Sequence, residues 1–280
     1  MGLGGYLTWT AAAREIKKNI ENVKLLPVEQ TGYFLKIIDS EVFHNNQDFL
    51  SYESSSYKDQ IIFPLILNNS NANYCKDDTE EKAHHRGDTH IINQICECFG
   101  IDSPDLKCVL NLTENEKLFA KKFKESIDNI PFIVIEPFSK DNYTPNRNYP
   151  FEKWQKVVNQ LSDSIKIVQI GNCGKILDNV IDMTGQTTFR EAISIIEKSE
   201  LFLAAESGLV HGATAVNTKS VVIITGYQDK RMVAYPQNIN IDISNHGPCG
   251  LKVACVDCIR DASEHSENEI VQAVIEELCL

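Results

Sequence analysis

Five apolar residues, LFLAA (201–205), run straight into ESGLVHGATAVN (206–217). The apolar run reads as a buried strand, and the small-residue turn behind it opens a short helix. A helix N-terminus exposes unpaired N–H groups and a partial positive charge, which suits a phosphate. Ser207 and Gly208 let a ligand approach the backbone, His211 offers a further donor, and Glu206 can accept hydrogen bonds from sugar hydroxyls. A plainer arrangement fits the same pattern: Glu206 or Ser207 only caps the helix, and His211 is a satisfied, half-buried histidine.

A second candidate is EPFSKDNYTPNRNYPFEKW (136–154). Here a strand ends in a long polar loop carrying Lys140 and Arg147, and a helix begins after Pro150. Open parallel sheets bind ligands beyond the carboxyl ends of their strands, so both loops, one of them basic, point to a single edge. Read alone, the loop is better taken as an ordinary solvated one with surface charges. Cys249, Cys255 and Cys258 form a third group, with one CxxC and with Cys279 further on. Four thiolates are able to hold a structural metal. A single CxxC is a weak signal, so reduced, metal-free thiols are expected. His84, His85 and His90 with Cys75 fall in a polar, charge-rich segment and read as a solvated face.

These side chains need a scaffold. PFIVIEPF (131–138), IKIVQIG (165–171), LFLAA and SVVIITG (220–226) are continuous apolar runs. Helical patterns alternate with them. FEKWQKVVNQL (151–161) sets Trp154, Val157, Val158 and Leu161 on one face, and Thr188 with Glu191 forms a capping box before the apolar stripe of 189–196. Ser266 and Glu269 repeat that signal ahead of a last amphipathic helix. Apolar strands alternating with helices mean a parallel sheet covered on both faces.

The first half is blurrier. QIIFPLIL (60–67) is strand-like, and Pro64 suits an edge. Residues 69–90 read as a surface loop, 91–100 as a helix, and 114–127 as a helix capped by Thr113 and Glu116. The polar join 128–130 divides the chain into 1–128 and 129–280.

Composition narrows the partners. In 280 residues, 42% are hydrophobic and 24% charged, an ordinary globular balance. A formal charge of −12 disfavours broad nucleic-acid binding, though a few local donors still suffice for a small phosphorylated ligand. The nine cysteines with no secretory or membrane-spanning pattern favour a reducing, cytoplasmic setting.

The second half resembles glycosyltransferase family 9, the bacterial heptosyltransferases of lipopolysaccharide synthesis. The family's D-S-G-P-x-H-x-A-A stands here as Glu206-Ser207-Gly208-Leu209-Val210-His211-Gly212-Ala213-Thr214. Its K-x-W-P stands as Arg147-Asn148-Tyr149-Pro150, and its T-G before a helix as Thr184-Gly185. The tail around CGLKVACVDC and the final helix is also similar. The start, GLGGYLTWTAAAREI (2–16), follows the family's G-x-L-G-D-x-L-x-x-T-P-x-x-R-x-L, but Ala11 replaces the proline and Gly5 the aspartate. No strand stands in front of it.

The resemblance implies an α/β fold of two Rossmann-like domains in the GT-B arrangement, the first reduced or lacking its first strand. It implies that Ser207, Gly208 and His211 hold the diphosphate of a nucleotide sugar such as ADP-heptose, with Arg147 and Lys140 beside it and Glu206 facing the sugar. Gly4, Gly5 and Arg14 then stand on the side of a glycan or glycolipid acceptor, which allows a peripheral place at the inner membrane. The implied chemistry is an inverting, metal-independent transfer without a cofactor. The family's general base is that missing aspartate, so transfer is expected to be weak. If the chain is active, Glu15, Glu29 and Asp39 are the nearest carboxylates in sequence. A non-catalytic nucleotide-sugar-binding protein is the main rival. A sugar-nucleotide epimerase would need acid–base residues at the donor sugar, where only Glu206 is identifiable.

Overall fold

The computed structural model describes residues 2–20, 22–50, 61–68, 89–138, 143–172 and 175–280. The first half begins with helix α1 (Leu3–Asn19), followed by strands β1 (Val23–Thr31), β2 (Phe34–Ile37) and β3 (Ile61–Ile66). Helices α2 (Ile91–Glu97) and α3 (Glu114–Ser126) complete it. The second half opens with β4 (Phe132–Glu136), α4 (Phe151–Leu161), β5 (Lys166–Gln169), β6 (Ile181–Asp182) and α5 (Phe189–Glu197). It continues through β7 (Leu201–Ala205), α6 (Gly208–Ala215), β8 (Ser220–Ile224), α7 (Lys230–Val233) and β9 (Ile239–Asp242). Helices α8 (Val256–Glu264) and α9 (Glu267–Leu278) close the chain.

The second sheet has six strands in the order β6-β5-β4-β7-β8-β9, all parallel. Every residue of β7 and β8 is buried, as their unbroken apolar sequences require. Chain order along this sheet runs outward from β4 in one direction and from β7 in the other. The reversal between them is the switch point at which doubly wound sheets open a crevice.

The first sheet is smaller and mixed. β1 lies between β2 and β3, antiparallel to the former and parallel to the latter. β3 is an edge strand, as Pro64 demands, because proline cannot donate to a second ladder. The β1–β2 hairpin has no counterpart in the sequence reading. It turns on two residues, Gly32 and Tyr33, with Gly32 at φ +60, and such a tight turn permits antiparallel return.

Two layers cover the six-stranded sheet. On one face Trp154, Val158 and Leu161 of α4 and Ile270 and Val274 of α9 bury against Ile133, Leu203 and Ile223. On the other, α5 and α6 form a core continuous with the first half, where α1 packs on α6 and α3 on α5. Capping boxes at Thr113–Glu116 and Thr188–Glu191 are both complete. The one expected at Ser266 is not. Its side chain makes no cap bond, and the Glu269 N–H reaches the Ser266 carbonyl at 3.2 Å instead.

A buried cation fastens α5 to the first half. Arg190 is 4% exposed and meets Glu116 of α3 at 2.5 Å (Nε to Oε1) and 3.0 Å (Nη2 to Oε2). Its guanidinium also donates to the carbonyls of Glu41 and Asn111 at 2.9 and 2.7 Å. Among the described residues, no helix is long and apolar enough to cross a membrane.

Candidate functional site

The two strands at the switch point deliver one acidic residue each. β4 ends on Glu136, and β7 is followed by Glu206. Ser207 caps α6, its Oγ accepting from the Leu209 N–H at 3.2 Å while its hydroxyl donates to a Glu136 carboxylate oxygen. Glu206 is 3% exposed and receives the N–H and hydroxyl of Thr225, each at 3.3 Å. Burial pushes both carboxyls up to about 7, against the partial relief supplied by Arg147.

Arg147 closes the 3₁₀ turn Pro145–Arg147 that follows β4. It donates to the Glu206 carbonyl, and its Nε lies 3.8 Å from the Glu206 carboxylate. That Nε is buried without a hydrogen-bond partner among the described residues. The guanidinium also stands 5.7 Å from the centre of the Tyr143 ring. Expectation and structure therefore agree that Arg147, Glu206, Ser207 and Gly208 share one edge of the sheet. Lys140 lies outside the described residues.

His211 sits one turn into α6. Its Nδ1 is 2.5 Å from the Tyr235 hydroxyl, which in turn lies 3.3 Å from the Cys108 sulfur. Burial lowers its pKa to about 3, so it meets any ligand as a neutral imidazole. His90 is a correction to the solvated-face reading. It is 3% exposed, accepts the Ile92 N–H at 3.2 Å as the cap of α2, and packs edge-on to Tyr235 at 4.7 Å. Burial brings its pKa down to about 4. Nothing in the sequence ties His90 to Tyr235, which lies 145 positions later, so only the fold reveals the pair. Cys75, His84 and His85 lie outside the described residues.

The glycine-rich start occupies the same place. Helix α1 begins at Leu3, so Gly4 and Gly5 form its first turn instead of a loop ahead of it. A methyl group at Gly4 would stand 2.6 Å from the Gly208 Cα and 3.1 Å from the His211 ring, so only glycine permits this approach. The N-cap residue, Gly2, supplies no side-chain acceptor. Two helix N-termini thus converge, one of them uncapped.

Arg14, expected on the acceptor side, is engaged within the fold. Its guanidinium donates to the carbonyls of Lys107 and Asp105 at 2.9 Å and to Glu15 at 2.8 Å, stapling α1 to the 105–107 segment. The substitute carboxylates are committed or remote. Glu15 is paired with Arg14 and Lys18, Glu29 is exposed on β1, and Asp39 accepts from His44. Among the described residues, Glu136 and Glu206 are the acids at the ends of the two switch-point strands; Glu136 went unnoticed because a strand-terminal acid has no motif.

Cys279 is the fourth thiol only in the disfavoured metal alternative. It follows α9 in a left-handed conformation and is exposed. Cys249, Cys255 and Cys258 gather instead around Tyr227, with His246 beside them.

Comparison with known proteins gives this edge a context. A glycosyltransferase family 9 (heptosyltransferase) family model matches residues 73–259, two thirds of the chain. No curated protein matches by sequence. Among solved structures, a family 9 glycosyl transferase from Veillonella parvula superposes at TM-score 0.69 with 13% identity, covering 100% of this chain and 95% of its own. The E. coli heptosyltransferase WaaC, solved with ADP, superposes at 0.56 with 13% identity over 99% of this chain and 95% of its own. The iron-containing dodecameric glycosyltransferase TibC from enterotoxigenic E. coli gives 0.66 with 13% identity, over 99% of this chain and 74% of its own. At such identities the superpositions establish the α/β fold with parallel sheets of the GT-B heptosyltransferases. With the family model spanning most of the switch-point crevice and its flanking elements, the chain belongs to glycosyltransferase family 9, the heptosyltransferases.

Proposed function

We propose that this chain binds a nucleotide diphosphate sugar, of the ADP-heptose kind, at the carboxyl edge of the six-stranded sheet and transfers the sugar to a glycan or glycolipid acceptor. Residues 129–280 serve as the donor unit and 1–128 as the acceptor side. The convergence of the α1 and α6 N-termini at Gly4 and Gly208 carries this reading. Two partially positive helix ends repel one another unless an anion lies near both, and backbone N–H groups there suit a diphosphate. Arg147 supplies a full positive charge, with a buried donor to spare. The WaaC structure with ADP is consistent with a diphosphate ligand in this fold.

In this reading, Ser207, Gly208 and neutral His211 contact the diphosphate, and Arg147 offsets the charge that develops on it as the sugar departs. Glu206 orients the sugar. The acceptor hydroxyl attacks the anomeric carbon as its proton is removed, and configuration inverts. A binding-only role is the second reading, and Gly5 favours it, since the position has no proton acceptor.

Calorimetry with ADP tests the donor site. Binding is expected in the wild type, and Arg147→Ala should weaken it by about 1.5–3 kcal/mol, the scale of a charge-assisted hydrogen bond. No binding, or equal affinity in the variant, refutes the assignment. Incubation with a panel of nucleotide sugars, scored by release of nucleoside diphosphate, separates transfer from binding alone.

The raised carboxyls add a pH dependence. Below about 7 Glu136 and Glu206 are protonated and neutral, and above it they place negative charge beside the diphosphate. ADP affinity should therefore fall by roughly tenfold as the pH is raised through neutrality. The dependence should flatten in Glu136→Gln; an unchanged profile there would show that Glu136 does not face the ligand.

A further inference from the structure

We infer that His246, Cys249, Cys255 and Cys258 form a tetrahedral binding site for a thiolate-preferring divalent transition ion, zinc or ferrous iron. The Cys258 sulfur lies 3.4 Å from that of Cys249 and 3.6 Å from Nε2 of His246. The donor atoms of His246, Cys255 and Cys258 all stand within 4.8 Å of one another. Metal–ligand bonds of the usual zinc lengths put two sulfurs about 3.8 Å apart and a sulfur and a nitrogen about 3.6 Å apart across a tetrahedron. The donors of His246, Cys255 and Cys258 are therefore close to ligating size as folded, and Cys249 adjoins them through Cys258.

Three further observations point to a metal instead of chance proximity. The first is the orientation of His246. Its Nδ1 lies 2.7 Å from Oδ2 of Asp261, a residue 2% exposed that also accepts the Asn245 N–H at 2.8 Å. A carboxylate there holds the proton on Nδ1, so the lone pair of Nε2 faces the thiols, which is the carboxylate–histidine–metal arrangement. The second is the sulfur environment. The Leu251 N–H and the Asn146 amide point at the Cys249 sulfur at 3.5 and 3.6 Å, contacts that stabilise a thiolate. The third is burial, since all three cysteines and Tyr227 are under 9% exposed. On binding, each thiol gives its proton to solvent, and three thiolates with one divalent ion leave a net charge of −1.

The site has a structural consequence. Asn146 donates to the carbonyls of Leu251 and Val253 at 2.8 Å, and its Oδ1 accepts the Cys255 N–H at 2.8 Å. Asn146 directly precedes Arg147, so the ion would brace the turn that carries the crevice arginine. The metal site itself does not depend on what the crevice binds.

The experiment uses the full chain, purified reduced and without chelator. Elemental analysis should find about one equivalent of zinc and iron together per chain, and the ratio of the two identifies the ion. That metal should be retained in Cys279→Ser and lost in Cys258→Ser. Cobalt(II) added to the stripped wild type should give the intense visible bands of a tetrahedral thiolate centre. Asp261→Asn should keep those bands while weakening cobalt affinity by about 10–100-fold. Should Cys258→Ser fail to fold, the wild-type cobalt spectrum and metal content decide alone. Free, reduced thiols with neither metal nor cobalt bands, or a Cys249–Cys258 disulfide, would overturn the proposal.

Discussion

Replacing Arg190 with alanine is expected to destabilise the folded chain by about 3–5 kcal/mol, because it removes a buried cation and leaves its carboxylate and carbonyl acceptors unpaired. Arg190 is 4% exposed, and Glu116 shares its two carboxylate oxygens between that guanidinium and the Thr113 N–H. Burial by itself would raise the Glu116 pKa, but the Arg190 and Thr113 hydrogen bonds outweigh it and hold the group below its ordinary value. A depressed carboxyl contributes stability above its unfolded pKa, and that contribution is lost as pH falls through the folded value. The gap between wild type and variant in urea denaturation should therefore be full at neutral pH and shrink below about pH 4.5. A gap under about 1 kcal/mol at neutral pH, the scale of a solvated pair, would show that the cation is dispensable. Because this pair fastens α3 to α5, its loss should also loosen the crevice and weaken ADP binding.

Replacing Gly5 with aspartate should have the largest effect on turnover. Gly5 stands in the first turn of α1, next to the Gly4 that touches Gly208. A carboxylate there would lie in the first turn of α1, where it sits well with the helix dipole. If the wild type binds donor but lacks a base, Gly5→Asp should raise nucleoside diphosphate release by about 10²–10⁴-fold, the usual contribution of general-base catalysis. Donor affinity should change little by comparison. A fast wild type that gains nothing from the aspartate would mean that another group takes the proton. Glu136 and Glu206, pushed up to about 7, would then be the first to test.

Much of the second half was legible from local pattern. Its strands are unbroken apolar runs and its helices carry periodic faces, so each element announces itself within its own window. The order of elements then leaves few topologies, and a parallel sheet by itself places Glu206, Ser207 and Arg147 at one edge. The same local logic placed Pro64 at a sheet edge. It was weaker where an element is short or its partners are distant. The β1–β2 hairpin hangs on a two-residue turn, β9 has four residues, and α8 begins among cysteines that mask its apolar face.

Local pattern also misjudged individual side chains, because a residue's environment is made by segments far away in sequence. His90 looked solvated in a charged stretch, yet Tyr235 buries it. Arg14 looked available, yet the 105–107 carbonyls consume it. Cys279 stood nearest in sequence as a further thiol, yet the side chain that meets Cys255 and Cys258 is His246, held by Asp261. The types of chemistry available to this chain were written in the residues and their spacing. Which of those residues meet was decided by the packing of α1 on α6 and of the Cys249–Cys258 segment on the Asn146 turn, since proximity across a hundred residues is a property of the folded core and not of any window of sequence.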